Sequence, residues 1–115
     1  MVKSLNYLDK LVSKRLGVPP SQIAQVCQQW KITELAVFGS ALREDFNPES
    51  DLDLLVTFAP DAQVTLFDLE AIEQQLKALC GREVDVVSKR AIERSHNWIR
   101  RQNILEQAQV VYVAG

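Results

Sequence analysis

The chain has very few of the residues from which metal and redox centres are usually built. Of its 115 residues, only two are cysteines and one is a histidine. Cys27 and Cys80 lie too far apart in sequence to form a metal or redox motif, and His96 has no cysteine or histidine nearby. We therefore predict no zinc site, two reduced thiols buried in helices, and a structural or surface role for the histidine.

The chain also lacks an excess of positive charge and any long apolar run. It has 13 Lys and Arg against 15 Asp and Glu, which gives a net charge of −2. A surface that holds a nucleic-acid backbone needs a basic stripe, so we expect no direct nucleic-acid binding. No signal peptide or membrane-length segment is visible, and the expectation is a cytoplasmic protein with no membrane partner.

What the chain does contain is typical of one globular domain. Apolar residues make up 47% of the sequence and charged residues 24%. A chain of this length can bury a core of its own, but it has no room for a second, substrate-binding domain.

The most informative stretch lies between two apolar segments that predict strands. Leu35–Phe38 ends at Gly39-Ser40, and Asp51-Leu52-Asp53 opens the segment Leu52–Phe58. Residues 41–50, between them, are rich in turn-forming side chains. Strands joined by a short connection usually pair antiparallel, so both polar features should meet at one edge of the sheet.

These polar residues suit a nucleoside triphosphate and its metal ion. Asp51 and Asp53 are two positions apart in a strand, so their carboxylates share a face and repel each other unless a cation lies between them. Magnesium prefers such oxygen ligands together with substrate phosphates. Gly39 allows the backbone to approach a phosphate, Ser40 offers a hydroxyl and an amide, and Arg43 is close enough in sequence to reach the same anion.

Each half of the pattern has a structural interpretation when it stands alone. An Asp-x-Asp is usually a solvated start of a strand, and a Gly-Ser is usually a turn. The combination of both, ten residues apart and between two apolar strands, is much rarer and favours the functional interpretation.

The remaining periodicities predict helices around a small sheet. Thr65 and Asp68 predict a capping box, and Gly81 a helix end. A helix of this length between strands usually crosses to a parallel neighbour. The predicted elements are helices over 4–16 and from Pro19 to about Trp30, strands 35–38 and 52–58, a helix over 66–80, a strand over 83–87, helices 89–94 and 97–107, and an apolar run 110–113.

The predicted fold is therefore α/β (α+β), a small mixed β-sheet packed with helices. We interpret residues 1–30 as a helical segment packed on the core and residues 31–115 as the core itself, within a single domain. An alternative role for the first helix is docking to a partner.

Asp85 is the third acidic residue of interest. In the predicted strand 83–87, Val84 and Val86 share one face and Asp85 lies on the other. A carboxylate buried without a partner in such a strand is costly. From the strand alone, an exposed position, an arginine partner and a role in a site all remain open.

The chain after residue 88 is its most basic part. Its arginines are Arg90, Arg94, Arg100 and Arg101. They could hold phosphates or an acidic partner, although a solvated helix face is the commoner case. We expect Trp98 in the core or an interface, and Tyr112 as a packed strand residue rather than a modification site.

The segment FGSALREDFNPESDLDLLV resembles the signature of the nucleotidyltransferase superfamily related to DNA polymerase β, Gly-Ser, ten residues, then Asp-x-Asp. At this length the chain is most similar to the minimal nucleotidyltransferases (MNT), commonly encoded beside a HEPN-domain protein as a toxin–antitoxin pair. The resemblance implies a third acidic residue on the following strand, which is Asp85. It further implies that Asp51, Asp53 and Asp85 bind metal and act in catalysis, while Gly39 and Ser40 bind the nucleotide.

The activity implied is a Mg²⁺-dependent transfer of AMP from ATP to a tyrosine hydroxyl of a HEPN ribonuclease toxin, in a hetero-oligomer with that toxin. Asp85 would be a metal ligand or the general base. The alternative is a non-catalytic antitoxin that neutralises the toxin by contact. One departure from the family pattern supports this alternative. Glu44 stands where many members have glycine, and its negative charge could repel a phosphate. A nucleotidyltransferase for a small-molecule drug is disfavoured because such enzymes generally add a domain.

Overall fold

A computed structural model describes residues 17–39 and 49–114 of the chain. In this part, four strands form one sheet with helices packed against it. The elements are α1 (Pro20–Gln29), β1 (Ile32–Phe38), β2 (Leu52–Phe58), α2 (Leu66–Cys80), β3 (Val84–Ser88), α3 (Lys89–Glu93), α4 (Trp98–Gln107) and β4 (Gln109–Val113). The predicted helix 4–16 lies outside the described residues.

The sheet is mixed, as predicted. Its strand order is β3-β2-β1-β4. β1 pairs antiparallel with β2 on one side and with β4 on the other. β2 pairs parallel with β3, and α2 is the crossover between them. The antiparallel pairing of the first two strands and the parallel crossover are both confirmed.

Local signals define α2 at both ends. The Thr65 hydroxyl accepts a hydrogen bond from the Asp68 N–H at 3.2 Å, and the Asp68 carboxylate accepts one from the Thr65 N–H at 2.9 Å. Gly81 ends the helix in a left-handed conformation, with its N–H bonded to the Lys77 carbonyl. The predicted capping box and glycine stop are thus confirmed.

Apolar side chains cover both faces of the sheet. On β2, Leu54 belongs to the larger buried cluster, while the next residue, Leu55, belongs to a second one. The larger cluster includes buried residues of α1 and α2, and the smaller includes Ile92 of α3 and Ile104 of α4. The two pairs of helices therefore lie on opposite faces of the sheet, with α3 and α4 together on the second face.

The two cysteines are free thiols, as predicted. Cys27 is buried in the larger cluster and Cys80 is only half-buried. Burial raises the pKa of the Cys27 thiol to about 12, so it stays protonated at neutral pH. Tyr112 is buried in β4, as predicted, and burial raises its pKa too. Among the helices of the described ranges, none is long and apolar enough to cross a membrane.

Candidate active site

Two acidic side chains meet on neighbouring strands of the sheet. Asp53 of β2 is the register partner of Asp85 of β3. Parallel neighbours lie about 4.8 Å apart, and register partners point to the same face. The residues flanking each aspartate belong to the larger cluster; they are Leu52, Leu54, Val84 and Val86. Both carboxylates therefore point to the opposite face, the one that carries α3 and α4.

The charges of this region act on one another. Asp53 is half-buried, and its pKa is raised first by burial, then by the negative charges of Asp85 and Asp51. The Arg100 guanidinium of α4 acts in the opposite direction and lowers that pKa. Three carboxylates thus share one electrostatic environment. A divalent cation would relieve the repulsion between them.

The end of β1 closes one side of the acidic pair. Gly39 has φ +71°, a left-handed conformation that side chains other than glycine rarely adopt. A Cβ at this position would collide with the Asp53 carboxylate. The glycine is therefore required for two reasons, the backbone conformation and the close approach to the aspartate. The predicted proximity of Gly39 to the acidic residues is observed.

Helix α4 forms the other wall of a cleft above the two aspartates. The cleft has a volume of about 570 Å³, within the range of small-molecule sites. Its lining residues are Phe38, Asp53, Asp85, Asn97, Ile99, Arg100, Asn103 and Ile104. Asn97 caps the helix, since its side chain accepts a hydrogen bond from the Arg100 N–H at 3.1 Å. The cap orders the turn that carries Arg100.

Several of these residues were not predicted as site residues. The sequence showed α4 only as a basic helix, and Arg100 was expected on a solvated face. It is exposed, but it borders the cleft. Asn97 and Asn103 gave no signal beyond their polarity. Trp98, expected in the core or an interface, is 60% exposed at the first turn of α4; the core alternative is wrong for the described chain.

Not all predicted site residues are described. Ser40, Arg43 and Glu44 lie outside the described ranges. Asp51 is exposed immediately before β2 and contributes its charge to the environment of Asp53. Within residues 17–39 and 49–114, no group of three His, Cys, Asp or Glu is arranged to hold one metal ion. The structure thus brings together two carboxylates, Asp53 and Asp85. Two carboxylates fit Mg²⁺, which takes its remaining ligands from phosphates and water.

Comparison with known proteins identifies relatives over most of this chain. The nucleotidyltransferase domain family matches residues 21–111. A candidate protein adenylyltransferase of Methanocaldococcus jannaschii is 30% identical over 86 residues, which is 75% of this chain and 81% of that protein. The protein adenylyltransferase MntA of Thermococcus cleftensis is 33% identical over 66 residues, 57% of this chain and 65% of that protein.

Solved structures share the fold. A candidate minimal nucleotidyltransferase is 31% identical with a TM-score of 0.58, and the match covers 89% of this chain and 93% of that one. A chain of a toxin–antitoxin complex with AMP-PNP has a TM-score of 0.65 at 20% identity, covering 83% and 73%. A chain in the complex of a tri-AMPylated Shewanella oneidensis HEPN toxin with an MNT antitoxin has a TM-score of 0.57 at 18% identity, covering 83% and 70%. At such low identities the last two similarities establish the fold alone.

Proposed function

Because this chain belongs to the nucleotidyltransferase domain family, we propose that it transfers AMP from Mg·ATP to a tyrosine hydroxyl of a HEPN-family toxin and so acts as its antitoxin. The single observation that supports this most is the pairing of Asp53 with Asp85 beneath a cleft of nucleotide size. The names of the relatives, protein adenylyltransferases, support AMP as the transferred group. The solved complex of an MNT antitoxin with an AMPylated HEPN toxin supports a HEPN toxin as the acceptor protein, and the tyrosine is part of the proposal.

In this proposal the acidic residues hold the metal and receive the proton. Asp53 and Asp85, with Asp51 beside them, would bind Mg²⁺. The bound ion would supply charge neutralisation at the phosphates and lower the pKa of the acceptor hydroxyl. Asp85 lines the cleft and is more exposed than Asp53, so a hydroxyl of a partner protein can reach its carboxylate more easily. We therefore assign Asp85 the role of accepting the hydroxyl proton.

The acceptor oxygen forms a bond to the α-phosphorus of ATP, the bond from that phosphorus to the bridging oxygen breaks, and pyrophosphate leaves in line. Gly39, Ser40 and Arg43 are proposed to bind the triphosphate. Catalysis of this kind depends mainly on placement and on charge stabilisation.

The test is the mass of the partner. The HEPN protein encoded beside this chain is incubated with it, ATP and Mg²⁺, and is weighed by intact-protein mass spectrometry. We expect one or more added AMP units, located by peptide mapping on a tyrosine, and none with Asp53→Asn. An unmodified partner that is otherwise active as a ribonuclease would reject the proposal.

A second candidate is an antitoxin that acts by contact alone. The observation that favours it is Glu44 in the sequence, an acidic residue where many members of the family have glycine, which would repel a phosphate. The double variant Asp51→Ala, Asp53→Ala distinguishes the two functions in cells that express the toxin. Loss of protection at matched expression supports chemistry, whereas full protection supports contact.

A further inference from the structure

Arg100 stands out among the cations near the cleft because its side chain has no partner within the described chain. No ion pair or hydrogen bond of its guanidinium occurs among residues 17–39 and 49–114. The adjacent Arg101, by contrast, donates from Nη1 to the Ser95 carbonyl at 2.9 Å. Arg101 therefore has a structural contact, and Arg100 is available to a ligand.

Arg100 lies near the two aspartates without pairing with either of them. Its charge lowers the pKa of Asp53, yet it forms no ion pair with either Asp53 or Asp85 within 4.0 Å. A guanidinium that could pair with a carboxylate but stays separate from it across a cleft leaves its planar set of donors for an anion between them. The volume of the cleft is sufficient for such an anion.

The cleft therefore has two chemically different walls. The β2–β3 wall carries Asp53 and Asp85, which suit a cation, and the α4 wall carries Arg100 and the amide of Asn103. A metal–polyphosphate complex has the matching character, since it presents a cation on one side and phosphate oxygens on the other. A single anion without a metal would be repelled by the acidic wall.

We propose that Arg100 binds the β- and γ-phosphates of the nucleotide from the α4 wall, so that the polyphosphate lies between the guanidinium and the acidic pair. This inference rests on the proposed function for the identity of the ligand. Arg100 then also stabilises the negative charge that develops on the departing pyrophosphate. The Asn97 cap holds the turn in place for this contact.

The experiment measures the binding of three probes by isothermal titration calorimetry, with Mg²⁺ present. The probes are ATP, inorganic pyrophosphate and AMP. Arg100→Ala should weaken the binding of ATP and pyrophosphate about 10-fold or more, because a charge-assisted contact is lost. AMP binding should be unchanged. Arg100→Lys should fall between, since lysine retains the charge without the planar donors.

The matched control is Arg94→Ala, which removes an equal charge from the end of α3, outside the cleft lining. It should bind all three probes like the wild type. In AMP transfer, Arg100→Ala should raise the KM for ATP and lower kcat. Unliganded Arg100→Ala should have a slightly lower Tm at neutral pH, because ionised Asp53 loses a favourable charge. The loss of ATP and pyrophosphate binding with AMP binding unchanged is the result that a merely structural role would not give.

The outcomes separate this inference from the proposed function. If wild type binds Mg·ATP and Arg100→Ala binds it equally well, the inference is overturned, whatever the enzyme does to its partner. If Arg100→Ala loses ATP and pyrophosphate while wild type transfers no AMP to the HEPN protein, the inference holds and the proposed acceptor is wrong. If wild type binds neither Mg·ATP nor pyrophosphate, both fail.

Discussion

At the scale of single residues, Asp53 has the most demanding environment in the cleft. It is half-buried, lies beside Asp85, and is approached by the backbone at Gly39. Burial and the negative charge of Asp85 both disfavour the ionised carboxylate of Asp53. A residue that is unfavourable for stability in the unliganded fold, yet placed in a cleft, is typical of a functional site.

The raised pKa of Asp53 leads to a prediction about stability and pH. A carboxyl group whose pKa is higher in the folded than in the unfolded state binds protons more readily when folded. Above its folded pKa, ionised Asp53 therefore destabilises the protein. We expect Asp53→Asn to have a higher Tm than wild type at neutral pH, and the difference should shrink as pH falls through the folded pKa. Thermal unfolding followed by circular dichroism across pH measures both curves.

The Tm of the same two proteins can also be compared with Mg²⁺ and ATP bound. Adding Mg²⁺ with ATP should raise the Tm of wild type and not that of Asp53→Asn. Glu70→Gln on the exposed face of α2 is the control, and it should respond to ligand like wild type. Equal Tm values for wild type and Asp53→Asn at every pH would contradict the assigned environment of Asp53.

Gly39 gives a prediction that separates backbone strain from site geometry. Gly39 and Gly81 are both left-handed, at φ +71° and +68°, but only at Gly39 would a Cβ meet another residue. Alanine at either position should cost about 1–2 kcal/mol of unfolding free energy. Only Gly39→Ala should also displace Asp53 and weaken Mg·ATP binding. Urea unfolding and calorimetry on both variants test this, and a Gly39→Ala protein that binds like Gly81→Ala would be the contrary result.

The residues of the site were predictable to different degrees. Gly39 and Asp53 lie in local patterns, a strand end and an Asp-x-Asp, so the sequence pointed to both. The valine-rich strand around Asp85 left the role of that residue open, and only the family resemblance implied a place for it in the site. Arg100 lies 47 positions after Asp53, and nothing local distinguishes it from its neighbour Arg101. Only the packing of α4 over the sheet assigns one arginine to the cleft and the other to a structural contact.

At the scale of elements, local signals determined how well each boundary could be predicted. α2 occupies the predicted residues 66–80 because both ends carry side-chain or glycine signals. β1 begins at Ile32, three residues before the predicted start. The prediction missed these residues because Thr33 and Glu34 interrupt the apolar run. That extension depends on pairing with other strands, since Glu34 is opposite Thr57 on one side and Val113 on the other. Pairing partners are not visible in a local pattern.

The capping box of α2 yields the prediction at this scale. Thr65→Ala removes the hydroxyl that accepts from Asp68 and should lower the free energy of unfolding by about 1 kcal/mol. Ser88→Ala is the matched control, because Ser88 precedes α3 without a side-chain cap bond. It should change stability by less than about 0.5 kcal/mol. Urea denaturation measures the free energy of unfolding of both variants. Equal decreases in the two would mean that the capping hydrogen bond contributes no net stability.

At the scale of the whole molecule, the helices of residues 17–39 and 49–114 leave one part of the sheet uncovered. Helices α1 and α2 cover one face, while α3 and α4 cover the other only in part, around the cluster that contains Leu55 and Ile104. The remaining space lies over Asp53 and Asp85. The mixed topology is what places these residues side by side, since β3 returns parallel to β2 after the α2 crossover.

The central claim is that this acidic pair binds a divalent cation that carries a nucleotide. The most direct measurement is a titration of Mn²⁺ followed by electron paramagnetic resonance, with a non-hydrolysable ATP analogue present. Wild type should bind the ion and analogue together, and Asp53→Asn and Asp85→Asn should each weaken binding by at least about 10-fold, the effect of losing even an outer-shell partner. If either variant binds Mn²⁺ as tightly as wild type, or wild type does not bind it, the account is contradicted.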